Sequence, residues 1–214
     1  MKKVKVEKKD TTFFIPADEL RAVYAATSRE ETRYYLNGVF VECDSAGRVI
    51  MTATDGHVLL SLQAREESFI GAGTYESNES GFILQADVRD RAFKAKHNGT
   101  LWIYGDVETG IMQFLDVNFI DDPEHSRVAV GEFSRVKGTY PDWRNVMPKE
   151  SDSCGRMNLS PALIAKLAKG HACISHTKDA PMLFESENPE LPCRVSFQGN
   201  PELTGVIMPV RIRE

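Results

Sequence analysis

Residues 52–60 read Thr-Ala-Thr-Asp-Gly-His-Val-Leu-Leu. Asp55 and His57 are residue types that do acid–base or metal chemistry. Two apart in an extended strand, they would share a face. Gly56 between them points elsewhere. Asp-Gly is hairpin-turn chemistry, because Gly takes positive φ freely and Asp tolerates it. The remaining histidines, His97, His125, His171 and His176, are scattered. Cys43, Cys154, Cys173 and Cys193 form no C-x-x-C pair and have no His at zinc-finger spacing. The expectation is a protein that is not an enzyme, with no catalytic residue, no metal and no cofactor. A hydrolase using Asp55 and His57 is the weakest alternative. Four unpaired thiols suit a reducing cytoplasm.

The elements that would position such a turn are legible as a repeat. FFIPADELRAVYAA (13–26), GFILQADVRDRAFKAK (81–96) and RMNLSPALIAKLAKG (156–170) each pair a short apolar extended piece with a helix-period pattern. Leu20, Val23, Tyr24 and Thr27 share one face of the first helix, and Leu163, Ile164, Leu167 and Ala168 one face of the third. Pro16 and Pro161 suit a first helical turn, Ser160 an N-cap, and Gly170 a helix stop. Strand-like runs follow each helix. They are 34–43, 48–55 and 57–64 after the first; 100–107, 110–117 and 127–138 after the second; and 172–177, 180–186, 193–199 and 203–212 after the third. The acidic stretch 116–125 reads as an exposed loop. This predicts α+β architecture from repeated β-α-β-β-β units, helices on one face of antiparallel sheets. The expected domains are 1–148, with two units, and 149–214, with a third. That third unit either packs on a second subunit or extends the first sheet.

The chain has 214 residues, 42% hydrophobic and 27% charged, which is ordinary globular composition with enough apolar residues for a core. No segment nears the ~20 apolar residues of a membrane helix, and the basic start MKKVKVEKKD lacks the apolar run of a signal peptide. The expectation is a soluble cytoplasmic protein without a membrane partner.

Three stretches, in order, resemble the bacterial sliding clamp family, the beta subunit of DNA polymerase III. RYYLNGVFVE (33–42) running into TATDGHVLL (52–60) resembles a strand and turn of the family's second domain. GTYPDWRNVMP (138–148) resembles the segment closing that domain, and GVIMPVRI (205–212) the family's C-terminal end. The family's first domain and the first half of its third have no counterpart here. The resemblance implies a DNA-clamp-like fold, a processivity factor that encircles or contacts duplex DNA, and a groove for short linear motifs of DNA polymerase and other replication proteins. Carried over by position, the peptide-binding groove uses Leu36, Thr54, Gly56, His57, Leu59, Pro141, Asn145, Val146, Val206, Ile207, Met208, Pro209, Val210, Arg211 and Ile212. Most are apolar, as anchor pockets require. Val58 and Asn145 stand where the family carries arginines, which predicts a less cationic groove.

The net charge of −5 implies no global attraction to nucleic acid. Cations nevertheless gather on the helical stretches. The candidate DNA contacts are Arg21, Arg89, Arg91, Lys94, Lys96, Lys166 and Lys169, all reaching phosphates without reading sequence. A family ring has twelve units, so chains of three imply a homo-oligomer, four for a closed ring. The alternative function is an adaptor or decoy that keeps the groove and forms no ring.

Overall fold

A computed structural model describes residues 9–76, 79–86, 100–119, 126–149, 157–175, 177 and 180–210. Among them, twelve strands form one antiparallel sheet. The first unit is β1 (Thr12–Pro16), α1 (Ala17–Tyr24), β2 (Val39–Cys43), β3 (Val49–Thr54) and β4 (Val58–Gln63), with short β5 (Phe69–Ile70) after it. The second contributes β6 (Gly81–Ala86), β7 (Leu101–Asp106), β8 (Ile111–Asp116) and β9 (Arg127–Val136). Its expected helix, with Arg89, Arg91, Lys94 and Lys96, lies outside the described residues. The third has a lead segment at 157–160 with no strand of its own, then α2 (Pro161–Ile174), β10 (Met182–Glu185), β11 (Cys193–Phe197) and β12 (Leu203–Ile207).

The first two units are joined reciprocally. β1 pairs with β7, setting Phe13 opposite Gly105 and Ile15 opposite Ile103. β6 pairs with β2, setting Phe82 opposite Val41 and Leu84 opposite Val39. Each lead strand thus lies against the first hairpin strand of the other unit. The last strands also correspond. β9 pairs with β8 and then with β6. In the first unit the same path is split, with β4 on β3 and β5 on β1. Residues 64–68 make the break, and Arg65 within it reaches Asp18 and Glu19 at the start of α1.

The third unit extends the first sheet, because β12 pairs with β4. The helices pack together on the same face. Gly170 is the contact point: a Cβ there would lie 2.5 Å from Leu60 Cδ1 and 2.7 Å from the Ala22 carbonyl oxygen. One main core joins both helices to the inward strand residues, including Leu20, Val23, Leu167, Phe13, Leu60, Leu84 and Phe197. Inward residues alternate along the strands, as the pleat requires.

Several expectations are corrected. Residues 172–177 do not form a strand. α2 continues through Gly170 to Ile174, so Gly170 is a packing residue and not a stop. Ala168 is exposed, and the buried face of α2 is Leu167, Gly170 and His171. Tyr34, Tyr35 and Leu36 belong to a 3-10 segment, Glu31–Leu36, and the strand starts at Val39. Ser160 stands at the N-cap of α2, but its side chain makes no capping hydrogen bond. Cys43, Cys173 and Cys193 are free thiols. No described helix is long and apolar enough to cross a membrane.

Candidate functional site

The Asp55–His57 turn is built by its own side chains. Gly56 has φ 89°, the left-handed region that favours glycine. Asp55 Oδ1 accepts hydrogen bonds from the backbone amides of His57 (2.8 Å) and Val58 (2.9 Å). Thr54 Oγ1 accepts from the Gly56 amide (3.0 Å) and donates to the Val58 carbonyl (2.7 Å). Asp55 Oδ2 is ion-paired with Lys166 of α2. Burial works to raise the Asp55 pKa, but the Lys166 ammonium and the two amides outweigh it and hold the carboxyl below its ordinary value. This carboxylate shapes a turn and ties it to the third unit. Among the described residues no three His, Cys, Asp or Glu side chains are grouped to hold a metal ion.

Beside the turn, β12 brings in the C-terminal segment. Val206 lies opposite Leu59 and Ile207 opposite Val58, and the Met208 amide donates to the His57 carbonyl (2.9 Å). Leu36, Leu59 and Val206 are 4%, 3% and 4% exposed and share a second apolar cluster with Phe40, Ile83, Tyr140 and Trp143. Ile207 is buried in the main core instead. Val146, Met208 and Val210 are 50%, 38% and 45% exposed. His57, Gly56, Pro141 and Asn145 are exposed too, while Thr54 and Pro209 are half-buried. The expected set therefore divides into buried residues and exposed ones. Arg211 and Ile212 lie outside the described residues.

Five residues beyond the expected set, Glu42, Trp143, Arg144, Tyr140 and Arg33, shape this surface. Glu42, buried at the end of β2, accepts from Trp143 Nε1 (2.9 Å) and from the Arg144 guanidinium (3.1 Å). That guanidinium sits 4.3 Å from the centre of the Trp143 ring. Together they fasten the 3-10 turn Trp143–Val146, and so Val146, onto β2. Tyr140 stacks on Phe40 with centroids 4.9 Å apart. Arg33 lies over the turn, its Nη1 2.9 Å from where a Gly56 Cβ would stand. The expectation of a less cationic site is thus offset by Arg33. A single acid in the otherwise apolar run VFVEC was the available signal for Glu42, and Arg33 heads the RYYLNG stretch that carries the resemblance.

Of the described candidates for DNA contact, Lys169 is exposed. Lys166 is held by Asp55. Arg21 Nε donates to Cys173 Sγ at 3.4 Å, across the helix pair.

The chain matches no protein-family model and no curated protein by sequence. Solved structures do resemble it. The DNA polymerase III beta sliding clamp of Pseudomonas aeruginosa bound to griselimycin superposes with a TM-score of 0.62 at 15% identity, covering 97% of this chain and 68% of that one. The sliding clamp of Bartonella birtlesii bound to griselimycin gives 0.59 at 19% identity, with the same 97% and 68% coverage. The beta subunit of Thermotoga maritima gives 0.58 at 14% identity, covering 98% and 68%. On this likeness of overall architecture, the chain has the fold of the bacterial DNA polymerase III beta sliding clamps.

Proposed function

We propose that this chain is a sliding-clamp-like processivity factor. Its helix face contacts duplex DNA, and the surface beside the Gly56 turn receives short linear motifs of replication proteins. The observation that carries the reading is the β4–β12 pairing. It sets Met208 beside the Thr54–His57 turn, its amide on the His57 carbonyl, and brings Val206 into the apolar cluster of Leu36, Leu59 and Trp143, while Met208, Val210 and Val146 stay exposed. Met suits such a role because its unbranched side chain adapts to several ligand shapes. Two or three apolar peptide side chains bury for ~1.5–3 kcal/mol each. Ordering and association costs remove much of that, so affinity falls in the micromolar range. The fold likeness supports a role in binding rather than in chemistry.

The test is fluorescence anisotropy with a labelled peptide carrying adjacent Leu and Phe anchors. Wild type is expected to bind with micromolar affinity, and Met208→Asp at least tenfold more weakly with unchanged circular dichroism. Equal binding by both proteins, or none by wild type at about 1 mM, rejects the groove.

A further inference from the structure

The third unit is half of a structure that the first two complete for each other. In the joined units, the lead strand β1 is buried along its whole length and β2 at all but its last residue. Their counterparts, residues 157–160 and β10, are half-buried or exposed throughout. Phe40 of β2 is 7% exposed; Leu183, at the same place in β10, is 60% exposed. β10 ends the sheet, so its outer edge, where β2 is covered by β6, has no described strand against it.

The lead segment is covered on one side by the C-terminal tail, the Val210 amide donating to the Asn158 carbonyl (2.7 Å), much as β5 covers β1. The side that β7 would occupy has no described strand on it. A third opening lies on the same flank. α2 meets α1 through Gly170 and Cys173. Its other side, with Ala168, His171, Ala172 and Ser175, borders an open cavity of about 280 Å³ that Met182 of β10 also lines. The linker 149–156 is far too short to supply another unit.

We infer that a second copy of this chain fills this flank with its own third unit. The two edges need each other's type. A β10-like strand takes a lead segment, and a lead segment takes a β10-like strand. Each copy carries one of each, so the contact is self-complementary about a two-fold axis. It continues the sheet by the reciprocal pairing that the chain already makes between its first two units. That template gives the register: Leu159 opposite Met182, Asn158 opposite Leu183, and Met157 opposite Phe184 of the second copy. Met157, Leu159, Met182 and Phe184 already flank the main core, so their inward faces match.

The inference stands on strand pairing and does not depend on DNA or peptide binding. It is tested on the full chain without DNA, by sedimentation velocity from about 1 to 100 µM. Wild type is expected at twice the chain mass of 24.0 kDa. Leu183→Lys, at an already exposed position, is expected at the single-chain mass. Phe119→Lys, exposed in the second unit, is expected to leave the dimer intact. Mixing Asn158→Cys chains with Leu183→Cys chains is expected to yield a disulfide-linked dimer that neither variant forms alone. Wild type at 24.0 kDa across the range overturns the inference. So does a dimer that survives Leu183→Lys, or the absence of the mixed cross-link.

Discussion

Glu19 is a carboxylate placed where its charge is hard to keep. Its residue is 7% exposed, and burial raises its pKa from 4.5 to about 7 even though the Arg65 guanidinium, 2.7 Å away, works in the other direction. The folded form therefore holds the proton more tightly than the unfolded chain does. Stability from this group is fully present below about pH 4.5 and is lost as pH rises through about 7. At about 1.4 kcal/mol per pH unit, the loss is at most about 3 kcal/mol. A thermal melt series from pH 5 to 8 is expected to show wild type losing stability, with Glu19→Gln flatter over the same range. Parallel curves would mean that Glu19 does not control this window. The Asp55 turn differs because its partners were in place locally: the amides two and three residues on, with Lys166 added by packing. That local part was legible in the sequence from Asp-Gly alone. Glu42 with Trp143 and Arg144 was not, since residues about a hundred positions apart meet only once the sheet has formed.

At the scale of elements, Gly170 decides between two opposed effects. Ala at a helix interior normally stabilises by about 1 kcal/mol relative to Gly. Here the new methyl would press on the Ala22 carbonyl, a backbone atom that cannot swing aside, and on Leu60. Overpacking of this kind costs about 1–3 kcal/mol, so Gly170→Ala is expected to be destabilising on balance. Urea unfolding checks it, and a higher midpoint for the variant would refute the close approach. The same residue shows where sequence reading stops. A glycine followed by His-Ala-Cys-Ile-Ser-His-Thr has the composition of a helix end and a strand. The helix runs on to Ile174 because tertiary contacts override propensity: His171 is buried against Phe197, with Asn200 on its ring nitrogen at 3.0 Å. Most hairpin strands were legible because their alternation is local. The β4–β12 junction was open as one of two outcomes, since either edge could have met another chain.

At the scale of the whole molecule, the proposed contact with DNA depends on which helix cations are free to reach phosphates. Of the described helix cations, Lys166 is engaged with Asp55 and Arg21 with Cys173, leaving Lys169 exposed. Any contact of this kind is salt-sensitive, because each phosphate engaged adds about −0.9 to the log–log salt slope. In the proposed role, a closed ring of two dimers is expected to stay on nicked circular DNA at about 0.15 M salt. It is expected to leave after the circle is cut. Equal retention on linear DNA would indicate gripping rather than encirclement.

A half-turn about an axis normal to a sheet leaves its helices on the same side but exchanges its two margins. The reciprocal, antiparallel joining of β1 with β7 and β6 with β2 is a half-turn of that kind. If two chains repeat it, the Gly56 corner of one looks toward one rim of the assembly and that of its mate toward the other. Such a body would have neither front nor back, and enzymes approaching along the duplex from either direction would meet an equivalent landing place.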